Sequence, residues 1–320
     1  MNRNPSHTLI RGAAIALLTA ALAACNSTAS LGSNLGGNPG QNTGGQNGGQ
    51  NNGGTSGGQN GSTGGQTGGT VSISKYGVIS LSRTDMDGES IIAGSGSFYA
   101  LGQALTSVPA NPYAVNSGDF CYVSDGGQQG DPAGNALGTV TSLDAGAKLS
   151  LKAAGQAYAT LDRMTANNSF IYLSTTLPDA AGATSLTVDV PGATNGFPAF
   201  VGVTVPALPA ASFTLKANGQ DVTAGTSITA DTSFTWTNPT NAAGTFLSVF
   251  GSNAATPAVS FFCITADDGS FSFPQATKAE LAAKNFGAGK VQGATRSAYR
   301  TETKGDAVLY VSNSQIRHYE

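Results

Sequence analysis

Three cysteines, Cys25, Cys121 and Cys263, are the residues of this 320-residue chain best suited to chemistry. Thiols can pair as a disulfide, take an acyl group, ligate a soft metal or attack as nucleophiles, and an odd count leaves one needing its own explanation. Carboxylates come next. Asp85, Asp87 and Glu89 fall on alternate residues of Asp85-Met-Asp87-Gly-Glu89 and form a weak Ca²⁺ candidate. The stretch departs from the EF-hand loop, which needs more ligands and a Glu at its twelfth position, so a charged hairpin tip is the simpler reading. Imidazoles are scarce, since His7 and His318 are the only two. A copper site built on several imidazoles is therefore out of reach of one chain, and so is a zinc site if the internal thiols are paired. Gly94-Ser-Gly-Ser97-Phe98 is not the G-x-S-x-G elbow of serine hydrolases, and His318, close to the C-terminus, is a poor base. No catalytic residue and no cofactor is expected, and the chain reads as non-enzymatic.

The first 24 residues read as a secretory signal. Arg3 and Arg11 supply a positive start, and the apolar run Gly12 to Ala24 is too short to span a bilayer core of about 30 Å. The run ends in Leu22-Ala23-Ala24-Cys25, which resembles the box of bacterial lipoproteins: a Leu, two small residues and a Cys. The resemblance implies cleavage before Cys25, a diacylglycerol on its thiol and a further acyl chain on the new amino terminus. It also implies anchoring to a membrane, because several chains hold where one does not. Asn26, rather than an Asp, follows the Cys, which by the sorting rule of such lipoproteins favours the outer membrane. The alternative is a soluble secreted protein cleaved near Ala24. Lipidation of Cys25 would leave Cys121 and Cys263 as an even pair.

Residues 25–70 form a lipid-anchored linker. From Asn26 to Thr70 there is no charge and no aromatic ring, only repeated themes such as GGQN, NNGG and STGGQTGG. Such a segment cannot bury enough surface to offset its ordering entropy and is expected to be disordered. As a Gly-rich coil it would span about 35–40 Å. Without Arg3 and Arg11 the chain carries 13 Lys/Arg against 18 Asp/Glu, a net charge of −5, and no nucleic-acid motif is present. Residues 278–320 are the basic exception, with seven Lys/Arg against four acids. A solvated face explains that patch; docking to an acidic polymer or lipid head group is the sharper alternative.

Beyond the linker the chain looks duplicated. Phe120-Cys121-Tyr-Val-Ser-Asp125-Gly-Gly127 and Phe262-Cys263-Ile-Thr-Ala-Asp267-Asp-Gly269 share the pattern F-C-x-x-x-D-x-G. Ala157-Tyr158-Ala-Thr160 matches Ala298-Tyr299-Arg-Thr301, and Ile171-Tyr172-Leu-Ser174 matches Leu309-Tyr310-Val-Ser312, in the same order. Strand-like alternation recurs in VSISKYGVISLS, KLSLKA, FIYLST, SLTVDV, FVGVTV, SFTWT and VLYVS, separated by turn residues, and only Gln275 to Lys284 looks helical. Asp87-Gly88 and Asp268-Gly269 are expected to make tight hairpins. The expected fold is all-β: two tandem related Ig-like β-sandwich modules, residues 71–206 and 207–320.

Cys121 and Cys263 occupy equivalent positions of the two repeats, and in an exported chain they are expected to be oxidised to each other. Two separate buried thiols are the alternative. The strands around them are apolar on both alternating faces, as for strands covered on each side. Trp236 shares a strand face with Phe234 and is expected in the core, while Tyr76, Tyr99 and Tyr113 are candidates for exposure with nothing to group them.

From about Cys121 to Leu281 the chain resembles a secreted β-rich module of bacterial envelope proteins. The residues that carry this are Leu143-Asp-Ala-Gly146 with Leu149 and Leu151, Val190-Pro-Gly192, Ser233-Phe-Thr-Trp236-Thr, and Phe262-Cys263 followed by Asp268-Gly-Ser-Phe-Ser-Phe-Pro274. The resemblance implies fold and location, not an activity. The expected role is a structural or docking component of the envelope. Its expected partners are an envelope or surface-layer protein or a cell-wall polymer, with surface carbohydrate or ligand binding as the alternative.

Overall fold

The computed structural model describes residues 72–86, 89–109, 119–125, 139–166, 169–175, 177–178, 185–207, 212–255 and 258–319. The leader, Cys25 and the linker lie outside these residues, as do Tyr113 and the side chains of Asp85, Asp87 and Glu89.

Two long strands open the body, β1 (Ile73–Met86) and β2 (Glu89–Leu105). They are antiparallel with Met86 opposite Glu89; the expected Asp87-Gly88 turn lies outside the described residues. The first half continues with β3 (Phe120–Asp125), β4 (Val140–Ser142), β5 (Lys148–Ala153), β6 (Gln156–Ala166), β7 (Ser169–Ser174), β8 (Leu186–Val190) and β9 (Phe200–Thr204). The second half holds β10 (Leu215–Ala217), β11 (Gln220–Asp221), β12 (Ser227–Ile228), β13 (Ser233–Trp236), β14 (Thr245–Asn253), β15 (Val259–Ala266) and β16 (Ser270–Ser272). A helix, α1 (Gln275–Ala283), and the long hairpin β17 (Gly289–Lys304) and β18 (Ala307–His318) complete it. The helix is short and buries only Thr277 and Leu281, four residues apart on one face.

Fourteen strands join one sheet, in the order β3-β15-β14-β17-β18-β1-β2-β7-β6-β5-β8-β9, with β4 and β12 as side pairings. A second sheet, β11-β10-β13-β16, has four strands. The long sheet runs through both halves of the sequence. β18 pairs in parallel with β1, and β3 pairs antiparallel with β15.

The cores explain this exchange. In the second half Phe234, Trp236, Phe271 and Phe273 of the small sheet and its flank face Leu247, Val249 and Phe261 of the long sheet, a sandwich closed at one side by Val123 of β3. In the first half Phe98, Leu149, Leu161, Tyr172 and Phe197 form a core completed by Ala307, Leu309 and Val311 of β18. Each core is finished by a strand from the other half. Alternation on β18 then sends Val308 and Tyr310 to the opposite face, where they pack with Ile73, Tyr76 and Leu101. Tyr76 is accordingly buried.

The second expected hairpin differs. Asp268-Gly269 does not return β15 onto a neighbour; it carries the chain to the other sheet, where β16 pairs with β13. Gly269 has φ +101°, the region that only glycine adopts without strain, so the corner needs it. Asp267, just before the corner, is drawn inward by the partners described below. A buried carboxylate redirects the chain there.

Candidate functional site

Cys121 and Cys263 lie directly opposite on β3 and β15, with Cα atoms 4.0 Å apart, and are bonded to each other. Antiparallel pairing of two like segments about their cysteines sets the residues on either side crosswise: Phe120 meets Ile264, the counterpart of Tyr122, and Tyr122 meets Phe262, the counterpart of Phe120. The disulfide and Val123 face the core. By strand alternation Phe120 and Tyr122 face the other way.

That outer face carries the most distinctive surface chemistry of the described residues. Register extends Tyr122 and Phe262 to Phe250 on β14 and then to Gly293 and His318 on β17 and β18. Phe250 and His318 meet edge to face, their centroids 6.3 Å apart. Gly293 permits this, because a Cβ there would stand 2.3 Å from Phe250 Cζ. A second pair, Phe246 and Tyr299, has centroids 5.6 Å apart. Tyr122, Phe246, Phe250, Phe262, Tyr299 and His318 are all half-buried, so the rings keep part of their surface accessible. Further along the same face the side chains become small hydroxyls. Ser297 bonds Ser314 at 2.8 Å, and Ser312 bonds Ser80 at 3.0 Å. The result is a ring-bearing platform on β3, β15 and β14, flanked on β17 and β18 by Ser297, Ser312 and Ser314, which are buried.

Each of the two cores has a polar node. In the second core, Asp267 accepts from Trp236 Nε1 at 2.6 Å and from the Thr240 amide at 3.0 Å. Its Oδ2 lies 3.1 Å from Arg296 Nε, and both side chains are wholly buried. Arg296 also donates to the carbonyl of Asn238 at 2.8 Å and stacks over Phe213 at 4.9 Å. Burial lowers the Arg296 pKa from its ordinary value, and the Asp267 charge opposes that shift. Trp236 is thus a core residue with its indole N–H satisfied.

The first core has a shallower node built from the Leu143-Asp-Ala-Gly146 stretch. Asp144 accepts from the Gly146 amide at 2.8 Å, from Tyr172 Oη at 3.0 Å and from Arg163 at 2.5 Å. Burial alone would raise the Asp144 carboxyl, but the Gly146, Tyr172 and Arg163 bonds outweigh it and hold the group below its ordinary value. The single proton of the Tyr172 hydroxyl is shared between that carboxylate and the Gly146 carbonyl 2.7 Å away, its oxygen accepts from the Ala145 amide at 2.8 Å, and burial pushes its pKa up to about 12.

In both nodes the carboxylate is paired with an arginine of the chain, Asp267 with Arg296 and Asp144 with Arg163. Among the described residues no three metal-ligating side chains converge. The platform residues were hard to single out from sequence. Phe246 and Phe250 sit in Thr245-Phe-Leu-Ser-Val-Phe-Gly251, where one alternating set, Leu247 and Val249, is as apolar as the other. The available signal was two-faced apolarity around Cys121 and Cys263, on β3 and β15, which is the pattern of strands covered on both sides.

Compared with models of protein families, with curated proteins and with solved structures, the chain matches none.

Proposed function

We propose that this chain is a non-enzymatic lipoprotein, anchored to the outer membrane through Cys25, whose β body docks another component of the cell envelope. One observation carries the docking role: partly exposed rings at Tyr122, Phe246, Phe250, Phe262 and Tyr299 on one face of a sheet whose edge is fixed by the Cys121–Cys263 bond. Aromatic side chains give large contact area at low entropic cost and serve as binding anchors, and a rigid support keeps that cost low. The export leader and the lipoprotein-like Leu22-Ala23-Ala24-Cys25 support the location.

A photo-crosslinking residue at Tyr122 or Phe262 of the native chain, in intact envelopes, tests the proposal. A stoichiometric protein adduct, missing when the crosslinker is moved to exposed Thr223, is expected. Absence of any adduct from the platform positions would remove the docking reading. Loss of palmitate labelling in Cys25→Ala checks the anchor separately.

A second reading rests on the Tyr122–Phe262–Phe250–His318 row of rings, on which sugar rings can stack. Saturable retention of one glycan class, lost in Phe262→Ala with the fold intact, would favour it.

A further inference from the structure

Strand β1 begins at Ile73, a few residues after the Gly/Asn/Gln-rich segment, and its neighbour β18 runs out to His318, whose ring meets Phe250 on the platform. The two strands are parallel, in register from Lys75 opposite Ala307 to Asp85 opposite Arg317. A pull that enters at Ile73 and leaves at His318 therefore acts on opposite ends of adjacent parallel strands. Those ends are about 40 Å apart along the strands and one strand spacing, about 4.8 Å, apart across them. The load line lies close to the strand direction and shears the pair. Interstrand hydrogen bonds, evenly spaced along a parallel ladder, then share the force and must fail together. Loading at like ends would open the same ladder one bond at a time.

We propose that the β1–β18 pair is a mechanical clamp, which keeps the body folded when load passes between the membrane tether and a partner on the platform. This use rests on the anchored docking role proposed above; the clamp itself is a property of the strand pair. Neither strand lies at an edge, because β2 flanks β1 and β17 flanks β18 from Lys304 opposite Ala307 to Gly293 opposite His318. The loaded end is fastened. The Ser74 and Lys75 amides donate to the Asp306 carbonyl at 2.9 and 3.1 Å, and the Ser74 hydroxyl donates to the Asp306 carboxylate. Buried side chains lock both faces. On one, Ile73 and Tyr76 pack with Val308 and Tyr310, with the two tyrosine rings 5.1 Å apart. On the other, Ile79 and Leu81 share the first core with Leu309 and Val311. A slip of one residue would send each set to the wrong face, so the ladder resists sliding as well as separation.

Single-molecule pulling of the full mature chain tests this, with handles attached in two ways. Handles at Ser72 and Glu320 load opposite ends of the pair. Handles at Ser72 and Thr303 load like ends, since Thr303 stands opposite Val308, beside the start of β18. Ser72 and Thr303 are both exposed, so they accept a handle without loss of a buried contact. The chain and its overall stability are the same in both experiments, and forced unfolding reports the barrier met along the pulling direction. At one loading rate the opposite-end pull should need at least about twice the rupture force of the like-end pull. Its main rupture should release β1 together with the strands beyond it. Equal forces in the two directions would overturn the proposal. So would an opposite-end trace whose earlier, weaker step already frees β1. Neither result bears on crosslinking from Tyr122 or Phe262 or on palmitate labelling at Cys25, so the clamp and the anchored docking role can fail independently.

Discussion

Segments Phe120–Asp125 and Phe262–Asp267 share one pattern and lie side by side, joined at their cysteines, yet their terminal carboxylates have opposite surroundings. Asp267 is wholly buried against Arg296, whereas Asp125 is 61% exposed and meets Lys284 at 3.3 Å. The position of each strand accounts for the difference. β15 has neighbours on both sides and leads into a chain crossing between sheets, so its carboxylate must enter the sandwich. β3 is the last strand of its sheet, and its carboxylate leaves toward solvent. Asp144, 30% exposed beside Arg163, lies between the two. A carboxylate's worth here should follow its burial rather than its local motif.

The largest effect is expected at the buried end. Asp267→Ala should cost about 3–5 kcal/mol, because it leaves Arg296 charged and unpaired in the core. Urea denaturation measures it, and pairing Asp267→Leu with Arg296→Met should recover much of the loss. A cost under about 1 kcal/mol would mean that water reaches the pair, and the contrast between the segments would collapse.

Next comes the link between the segments. Replacing Cys121 and Cys263 by Ala should cost about 2–5 kcal/mol, since the bond closes a long loop in the unfolded chain. Amide exchange in β3 should rise before that in β15, because β3 has only one strand neighbour. Equal exchange in both would show that β3 does not depend on the bond.

The intermediate carboxylate gives a pH signature. Asp144 titrates below its ordinary value of 3.8 in the folded chain, so its contribution is present above that pH and is lost as pH falls through the lower folded value. Asp144→Asn should therefore destabilise at neutral pH, by no more than about 1 kcal/mol because the pair is partly solvated. The difference from the parent should shrink as the pH drops below about 4. A gap that persisted at lower pH would trace the loss to packing rather than charge.

The smallest effect closes the series. Asp125→Ala should change stability by less than about 0.5 kcal/mol, as surface pairs usually do. A cost comparable to that of Asp267→Ala would break the comparison outright.

Much of the architecture was legible in local pattern. Alternation in KLSLKA, SFTWT and VLYVS placed strands, in SFTWT it also placed the buried face, and the Gln275–Lys284 helix was equally plain. The Asp268-Gly269 corner was misread as a hairpin because a turn signal reports a bend in the chain, not which sheet the next strand joins. The aromatic platform was missed for a related reason. Period-2 alternation separates two faces, but when both are apolar it does not say which has the core behind it. The partners of Asp144 lie 19 residues away at Arg163 and 28 away at Tyr172, beyond any local rule.

The sequence by itself determined the all-β character, the helix and the buried place of Trp236, and it singled out the cysteine pair, because these follow from periodicity, composition and thiol parity. Only the tertiary structure decided that β18 completes the first core and β3 the second, that one sheet runs through both halves, and that Asp267 is buried while Asp125 is not. Those outcomes depend on which strands become neighbours, and strand pairing joins residues far apart in the chain through backbone groups that every residue possesses.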